Sequence, residues 1–365
     1  MDLSAKRVLI VKPSSLGDVV HTLPVVHAIK RCFPSAYVGW IVQKAFAGVL
    51  EADPAIDEII PISIPSTSDP HAGRGAVPKA LAATVATLRQ LRRRFRRRPY
   101  HVVLDLHASF RSGLLALANP GGKRIGFRDA KELNPLFQHH RLVTDPNKPH
   151  AVDKNLAFAE FLGCLVTADD FRIVSDPGAR ARVERFLGEH EAVSGRRIVY
   201  ANPAARWTTK YWTVEAWAEL GDLLISQAAA AVVFAGSAAD ARYIDQISER
   251  MTERPIVAAG KLSLAEAVAL IEAADVYVGV DSGPMHIAAF TGTPVVALFG
   301  PTEPAKVGPY GDGHKVIRKT DLDCLGCRLR ACSNRRCLEG ITAREVFAET
   351  VALLEAVPDG VERTQ

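Results

Sequence analysis

The chain has 365 residues, more than one ordinary core accommodates, and this predicts two domains of roughly 150 to 180 residues each. Hydrophobic residues make up 48% and charged residues 23%, a balance that excludes a largely disordered chain. The formal charge of +5 favours an anionic partner but is too small to single out nucleic acid, a membrane or a phosphorylated substrate.

The first apolar run, "RVLIVK", is too short for the core of a signal peptide, and no segment approaches the roughly 18 apolar residues that cross a bilayer. The expected location is therefore the cytoplasm. Thiols there stay reduced, so the six cysteines are not expected to form a disulfide framework.

"RVLIVK" gives way to a small polar loop, "PSSLGD", and then to the apolar pattern of a helix. A strand that ends in such a turn places its loop at the carboxyl edge of a parallel sheet, and this loop carries one carboxylate, Asp18. Next come "YVGWIVQ", "EIIPIS", "HVVLDL" and "KRIGF", short β-branched runs separated by helical patterns. Between them lies "RRRFRRR", Arg92 to Arg98. It reads as the solvated end of a helix or as a basic patch for anionic lipid headgroups or a phosphorylated acceptor. It has too few aromatics for single-stranded nucleic acid, and no nucleic-acid partner is expected.

Asp-Pro-Gly in "RIVSDPGAR", residues 172 to 180, punctuates the pattern and marks a boundary between domains at 1–175 and 176–365. A second series follows: "RIVYANP", "AVVFAG", "PIVAAG", "VYVGVD" and "PVVALFG". Continuous apolar strands alternating with helices predict two doubly wound α/β domains, each built on a parallel sheet, with a ligand held in the cleft between them.

Three loops of the second series carry candidate groups. "NPAARWTTKYW" offers Arg206 and Lys210, two cations suited to a diphosphate. "FAGSAADARY" offers Asp240, either a partner for a ribose hydroxyl or a first-turn helix acid. In "VYVGVDSGPMH" a strand delivers Asp281, with Ser282 at an N-cap and Gly283 and Pro284 opening a helix whose N-terminus suits a phosphate; a merely well-capped helix is the alternative. The chain lacks G-x-G-x-x-G, the P-loop and G-x-S-x-G, so neither a dinucleotide fingerprint, nor a P-loop, nor a hydrolase elbow is present.

"CLGCRLRACSNRRC" places Cys324, Cys327, Cys332 and Cys337 within one short stretch. Four thiolates this close are able to surround a structural zinc or iron ion; redox pairing and plain reduced cysteines are the alternatives. Cys32 and Cys164 read as helix-core residues. A terminal helix, "TAREVFAETVALLEAV", follows and is able to pack back on the first domain.

Taken in order, "VLIVKPSSLGDVVHTLPVVHAIK", "DLHASFRSG", "KRIGF", "HAVDKNL", "YANPAARWTTKYW", "GVDSGPMHIAAFTGTPVVALFGPTEP" and "GPYG" resemble glycosyltransferase family 9, the ADP-heptose:lipopolysaccharide heptosyltransferases. The resemblance implies a GT-B fold of two facing Rossmann-like domains, with acceptor bound by the first and nucleotide sugar by the second. It implies inverting heptosyl transfer from ADP-heptose to the acidic inner core of lipopolysaccharide, with no cofactor required, at the cytoplasmic face of the inner membrane, whose anionic surface the protein would contact peripherally.

By the same resemblance Asp18 is the catalytic base, Lys210 binds phosphate, Asp240 meets the ribose, and Asp281, Ser282, Gly283 and His286 form the donor loop. Ser14, Ser15 and Gly17 keep the acceptor side small, and Arg111, Arg124, Arg128, His150 and Asp153 lie where family members meet an acidic acceptor. The sequence departs from the pattern in two respects: Ala205 and Arg206 stand where some members carry hydroxyls, and Asp240 stands where Glu is usual. The remaining alternatives are the same fold with another donor or acceptor, a protein included, and a nucleotide- or metal-sensing module without catalysis.

Overall fold

The computed structural model describes residues 1–65 and 76–356; residues 357–365 of the expected second domain lie outside them. The chain divides into two compact units, Met1–Val174 and Ser175–Gln365.

The first unit runs β1 (Arg7–Val11), α1 (Leu16–Val20), α2 (Leu23–Cys32), β2 (Tyr37–Gln43), β3 (Glu58–Ile62), α3 (Ala76–Arg97), β4 (Val102–Asp105), α4 (Phe110–Leu117), β5 (Lys123–Phe127), β6 (His140–Leu142) and α5 (Ala151–Leu162). Its strands form one parallel sheet in the order β3-β2-β1-β4-β5-β6. The order reverses between β1 and β4, where Val11 sits opposite Asp105. The loops after these two strands therefore leave the sheet side by side, at the switch point where such sheets bind ligands.

The second unit opens with α6 (Pro177–Gly188), whose N-terminus is capped by Asp176 accepting from the Ala179 N–H at 2.6 Å. It continues with β7 (Ile198–Asn202), α7 (Val214–Ser226), β8 (Ala231–Phe234), α8 (Ala241–Ser248), β9 (Ile256–Val257), α9 (Leu264–Ala273), β10 (Val276–Val280), α10 (Gly283–Thr291), β11 (Val295–Leu298), α11 (Pro304–Val307), β12 (Lys315–Ile317), α12 (Arg336–Glu339) and α13 (Ala343–Ala356). The parallel sheet order β12-β11-β10-β7-β8-β9 repeats the first topology, with its reversal between β7 and β10.

Both units are thus Rossmann-like, as the resemblance predicts. The central strands are apolar throughout because helices cover both faces: β10 and β11 are buried from end to end. In the second unit Trp212, Trp217 and Phe234 pack edge to face in the core, and α13 lies on α7 and on the sheet of its own unit. In the first unit α3 buries Ala80, Thr84, Leu91 and Phe95 and leaves Arg92, Arg93, Arg96, Arg97 and Arg98 in solvent. Arg94 differs, because it pairs with Glu58, which also accepts from Arg7 at 3.1 Å and from the Tyr100 hydroxyl. Tyr100 lies across Gly39, where a Cβ would sit 2.1 Å from its hydroxyl oxygen.

One expectation needs correction. Cys32 lies at the exposed end of α2 rather than in the helix core, because the buried stripe of that helix finishes at Ile29. Its thiol meets the buried Cys164, whose own thiol burial and that contact push up to about 12. Of the four clustered cysteines, Cys324, Cys327 and Cys332 are exposed and Cys332 is turned to the Asn334 carbonyl at 3.1 Å, while burial and the nearby Cys324, Cys327 and Cys332 push the Cys337 thiol up. Among the described residues no group of three or more His, Cys, Asp or Glu is arranged to hold a metal ion.

Candidate functional site

On the first unit, Asp18 stands in the first turn of α1, on the loop that leaves β1. One carboxylate oxygen accepts from the Ser15 N–H at 3.0 Å and the Ser15 hydroxyl at 2.6 Å; the other faces the Lys12 ammonium at 3.5 Å. Partial burial opposes the charge of Asp18, but Lys12, the Ser15 hydrogen bonds and His21 outweigh it, so the carboxyl is held well below the usual carboxylate range. Its side chain remains 43% exposed. The site therefore presents a firmly ionised carboxylate that an incoming group can reach.

Lys12 is the residue that the sequence reading missed. It follows an apolar strand and passes for its polar end, yet its side chain is only 8% exposed and donates to the Leu106 carbonyl at 2.7 Å. That carbonyl lies just beyond β4, so the contact exists only because β1 and β4 are neighbours. The β4–α4 loop is pinned in turn by Asp105, fully buried, which accepts from the His107 and Ala108 N–H groups and from Ser112, Asn134 and Gln138. His107, also missed, is bonded to the Ser14 backbone; burial and the Lys12 charge hold its imidazole below its ordinary value.

The other first-unit candidates divide. Ser15 is committed to Asp18, Ser14 is half-buried beside it, and Gly17 is buried within α1. Arg111 is half-buried in the first turn of α4, and Arg128 is exposed beyond β5. Arg124 is spent on structure, donating to the Phe137 carbonyl at 2.6 Å. His150 caps α5, accepting from the Val152 N–H, and its ring lies 5.5 Å from that of His21; two residues beyond Asp153, Asn155 donates to the His21 carbonyl. The motif "HAVDKNL" therefore braces the helix turn behind Asp18.

On the second unit the switch-point strands β7 and β10 supply the site. Lys210, on the loop after β7, donates to the Asp281 carboxylate at 2.6 Å, and the side chains are 16% and 6% exposed. The Thr302 hydroxyl donates to the same Asp281 oxygen at 2.5 Å. Asp281 thus acts as a buried holder of Lys210 rather than an open acid. Ser282 occupies the N-cap position of α10 without capping it; its hydroxyl accepts from Asn202 at 2.8 Å. Helix α10 opens on Gly283 and Pro284, the latter with no N–H to satisfy, and His286 is buried in that first turn.

Asp240 begins α8, and one of its oxygens accepts from the Ser237 N–H and hydroxyl. Arg206 is exposed and makes no ion pair among the described residues. Thr302 and Asn202 were legible in the sequence only as parts of longer motifs, because their partners are distant in the chain.

A family model for glycosyltransferase family 9 (heptosyltransferase) matches residues 88–338. The lipopolysaccharide core heptosyltransferase OpsX of Haemophilus influenzae is 28% identical over 86% of this chain and 84% of its own. A solved family 9 glycosyltransferase from Veillonella parvula superposes with a TM-score of 0.81 at 24% identity, covering 98% of this chain and 99% of that one. The solved Escherichia coli heptosyltransferase WaaC with ADP gives 0.69 at 24% identity, covering 93% and 97%.

Proposed function

The chain belongs to glycosyltransferase family 9, the heptosyltransferases, and on that premise we propose that it transfers heptose from ADP-heptose to an acidic sugar of the lipopolysaccharide inner core, inverting the anomeric centre and using no metal. The observation that carries the reading is the reachable, firmly ionised Asp18 at the switch point of the first sheet. The solved relative with ADP and the lipopolysaccharide relative support the choice of donor and acceptor.

A single displacement needs one base and no acid, because a nucleoside diphosphate leaves readily once its charge is met. Asp18 accepts the proton of the acceptor hydroxyl. A carboxylate held so firmly ionised is a weak base at rest, so proton transfer comes late, as the hydroxyl acidifies on bonding to an oxocarbenium-like carbon. On the donor side Lys210, Arg206 and the N–H groups opening α10 meet the diphosphate, and Asp240 meets the ribose. Arg111 and Arg128 meet the acidic acceptor, on the small loop that Ser14 and Gly17 provide.

We place the reaction at the cytoplasmic face of the membrane. No helix among the described residues is long and apolar enough to cross a bilayer, while α3 exposes Leu81 and Val85 together with Arg92, Arg93 and Arg96, a surface suited to anionic headgroups. Product analysis with ADP-heptose, ADP-glucose and UDP-glucose on a Kdo-bearing lipid A acceptor tests the reading. It expects product from ADP-heptose alone; transfer from another donor, or to another acceptor, would replace it with the same-fold alternative.

A further inference from the structure

The amino edge of the first sheet lies opposite the edge that carries Asp18. Arg7, Tyr37 and Glu58 are the first residues of β1, β2 and β3, and with the last turns of α3 they line a cavity of about 450 Å³. Five guanidinium groups, those of Arg7, Arg93, Arg94, Arg97 and Arg98, border it against one carboxylate, that of Glu58. This wall carries a net +4, most of the formal +5 of the whole chain.

Glu58 is already saturated. It accepts from Arg7 at 3.1 Å, from the Arg94 Nε–H at 3.0 Å, from the Tyr37 hydroxyl at 3.3 Å and from the Tyr100 hydroxyl. Arg93, Arg97 and Arg98 make no ion pair among the described residues. The helix dipole favours cations at this end of α3, but it does not account for Arg7, which belongs to β1. The Arg7 guanidinium carbon lies 4.0 Å from the centre of the Tyr37 ring and 4.5 Å from that of Tyr100. Its buried Nε–H has no acceptor among the described residues, a cost that persists until an acceptor meets it.

A second cavity, of about 380 Å³, adjoins the first through Gln90 and Arg94, which line both. Its walls come from β3 and α3 and include Ile60, Ile62, Ala83 and Ala86. The groove between β3 and α3 therefore joins an apolar stretch to a cationic end. Beside it, α3 exposes Val77, Leu81 and Val85, each one helical turn from the next.

We propose that this groove is a binding site for one anionic phospholipid, with its phosphate among the arginines and the start of an acyl chain along Ile60, Ile62, Ala83 and Ala86. Guanidinium groups suit phosphate oxygens, and an amphiphile occupies both ends of the groove where a free phosphate occupies one. The choice of a lipid rests on the reading of α3 as the membrane-facing surface. It adds a defined site to the diffuse attraction of Arg92 and Arg96, which do not line the cavity.

The test is calorimetric titration of the full chain with dihexanoylphosphatidylglycerol below its micelle concentration, and with glycerophosphoglycerol, the same headgroup without chains. Salt of about 0.15 M screens charges beyond about 8 Å. The unaltered protein is compared with Arg97→Gln/Arg98→Gln and with Arg92→Gln/Arg96→Gln, which removes the same charge outside the cavity. The lipid is expected to bind more tightly than its headgroup. Arg97→Gln/Arg98→Gln is expected to weaken it about tenfold or more, and Arg92→Gln/Arg96→Gln to leave it unchanged. Equal losses in the two pairs would overturn the site in favour of diffuse attraction, and a headgroup that binds as tightly as the lipid would overturn the lipid as occupant. Co-flotation of the unaltered protein with phosphatidylglycerol vesicles tests the membrane reading separately. Flotation without binding of the dissolved lipid rejects the groove and keeps that reading; binding without flotation does the reverse.

Discussion

Replacing Lys12 by Met removes the charge that faces Asp18 at 3.5 Å. At an effective dielectric constant of ~20 two unit charges at that distance interact by about 5 kcal/mol. Asp18 is 43% exposed, however, and water screening reduces the working value to about 1 to 1.5 kcal/mol, close to one pH unit. The sign follows from the direction of the shift. The Asp18 carboxyl is depressed in the folded protein, so activity is present above that depressed value and is lost as pH falls through it. Without Lys12 the carboxyl rises, and the acid limb of kcat/KM moves to higher pH by about one unit. The assay is ADP release against pH for both proteins, with thermal melts to confirm that each is folded over the range. An acid limb that stays in place in a folded, active Lys12→Met protein would refute the argument that Lys12 keeps Asp18 ionised.

Other outcomes follow from the same geometry. Lys210→Met leaves Asp281 buried without its cation and is expected to cost about 3 to 5 kcal/mol in urea unfolding; adding Asp281→Asn restores most of that stability but not ADP affinity, a cycle that separates fold from binding. Asp105→Ala strands five donors at the end of β4. It should lower stability by about 3 kcal/mol or more, read by the same denaturation. Exchanging Arg92, Arg93 and Arg96 for Glu is expected to reduce co-flotation with phosphatidylglycerol vesicles at least tenfold, on the order of 1 kcal/mol per arginine, without changing ADP binding. Flotation that survives the exchange would remove α3 from the membrane account.

The ten apolar runs of the sequence correspond to ten of the twelve strands among the described residues, because a strand covered on both faces is predominantly apolar. The two that escaped, β6 (His140–Leu142) and β12 (Lys315–Ile317), are three-residue edge strands whose first two residues are exposed, so they carry no such run. At the site, Asp18 and Lys210 were legible because each lies in a strand-to-helix loop. Lys12 was not, since what buries it is the Leu106 carbonyl, 94 residues away. Ser282 stands at the helix start as expected, but its hydroxyl accepts from Asn202, 80 residues away, rather than capping the helix N–H groups. The cysteine spacing pointed to a metal centre and could not foretell that the loop is also tied to Thr208, Thr209 and Pro301, which are distant in the chain. Patterns within one loop are local and readable; pairings between loops depend on sheet order.

The central claim is that Asp18 is the base of an inverting heptosyl transfer. Its most direct test measures ADP release and the anomeric configuration of the product from ADP-heptose and a Kdo-bearing lipid A acceptor, for the unaltered protein, Asp18→Asn and Asp18→Ala. The account predicts inverted product from the unaltered protein and a fall of about 10²-fold or more in both variants, with ADP affinity unchanged. Retained configuration, or variants that transfer at the original rate, would contradict it.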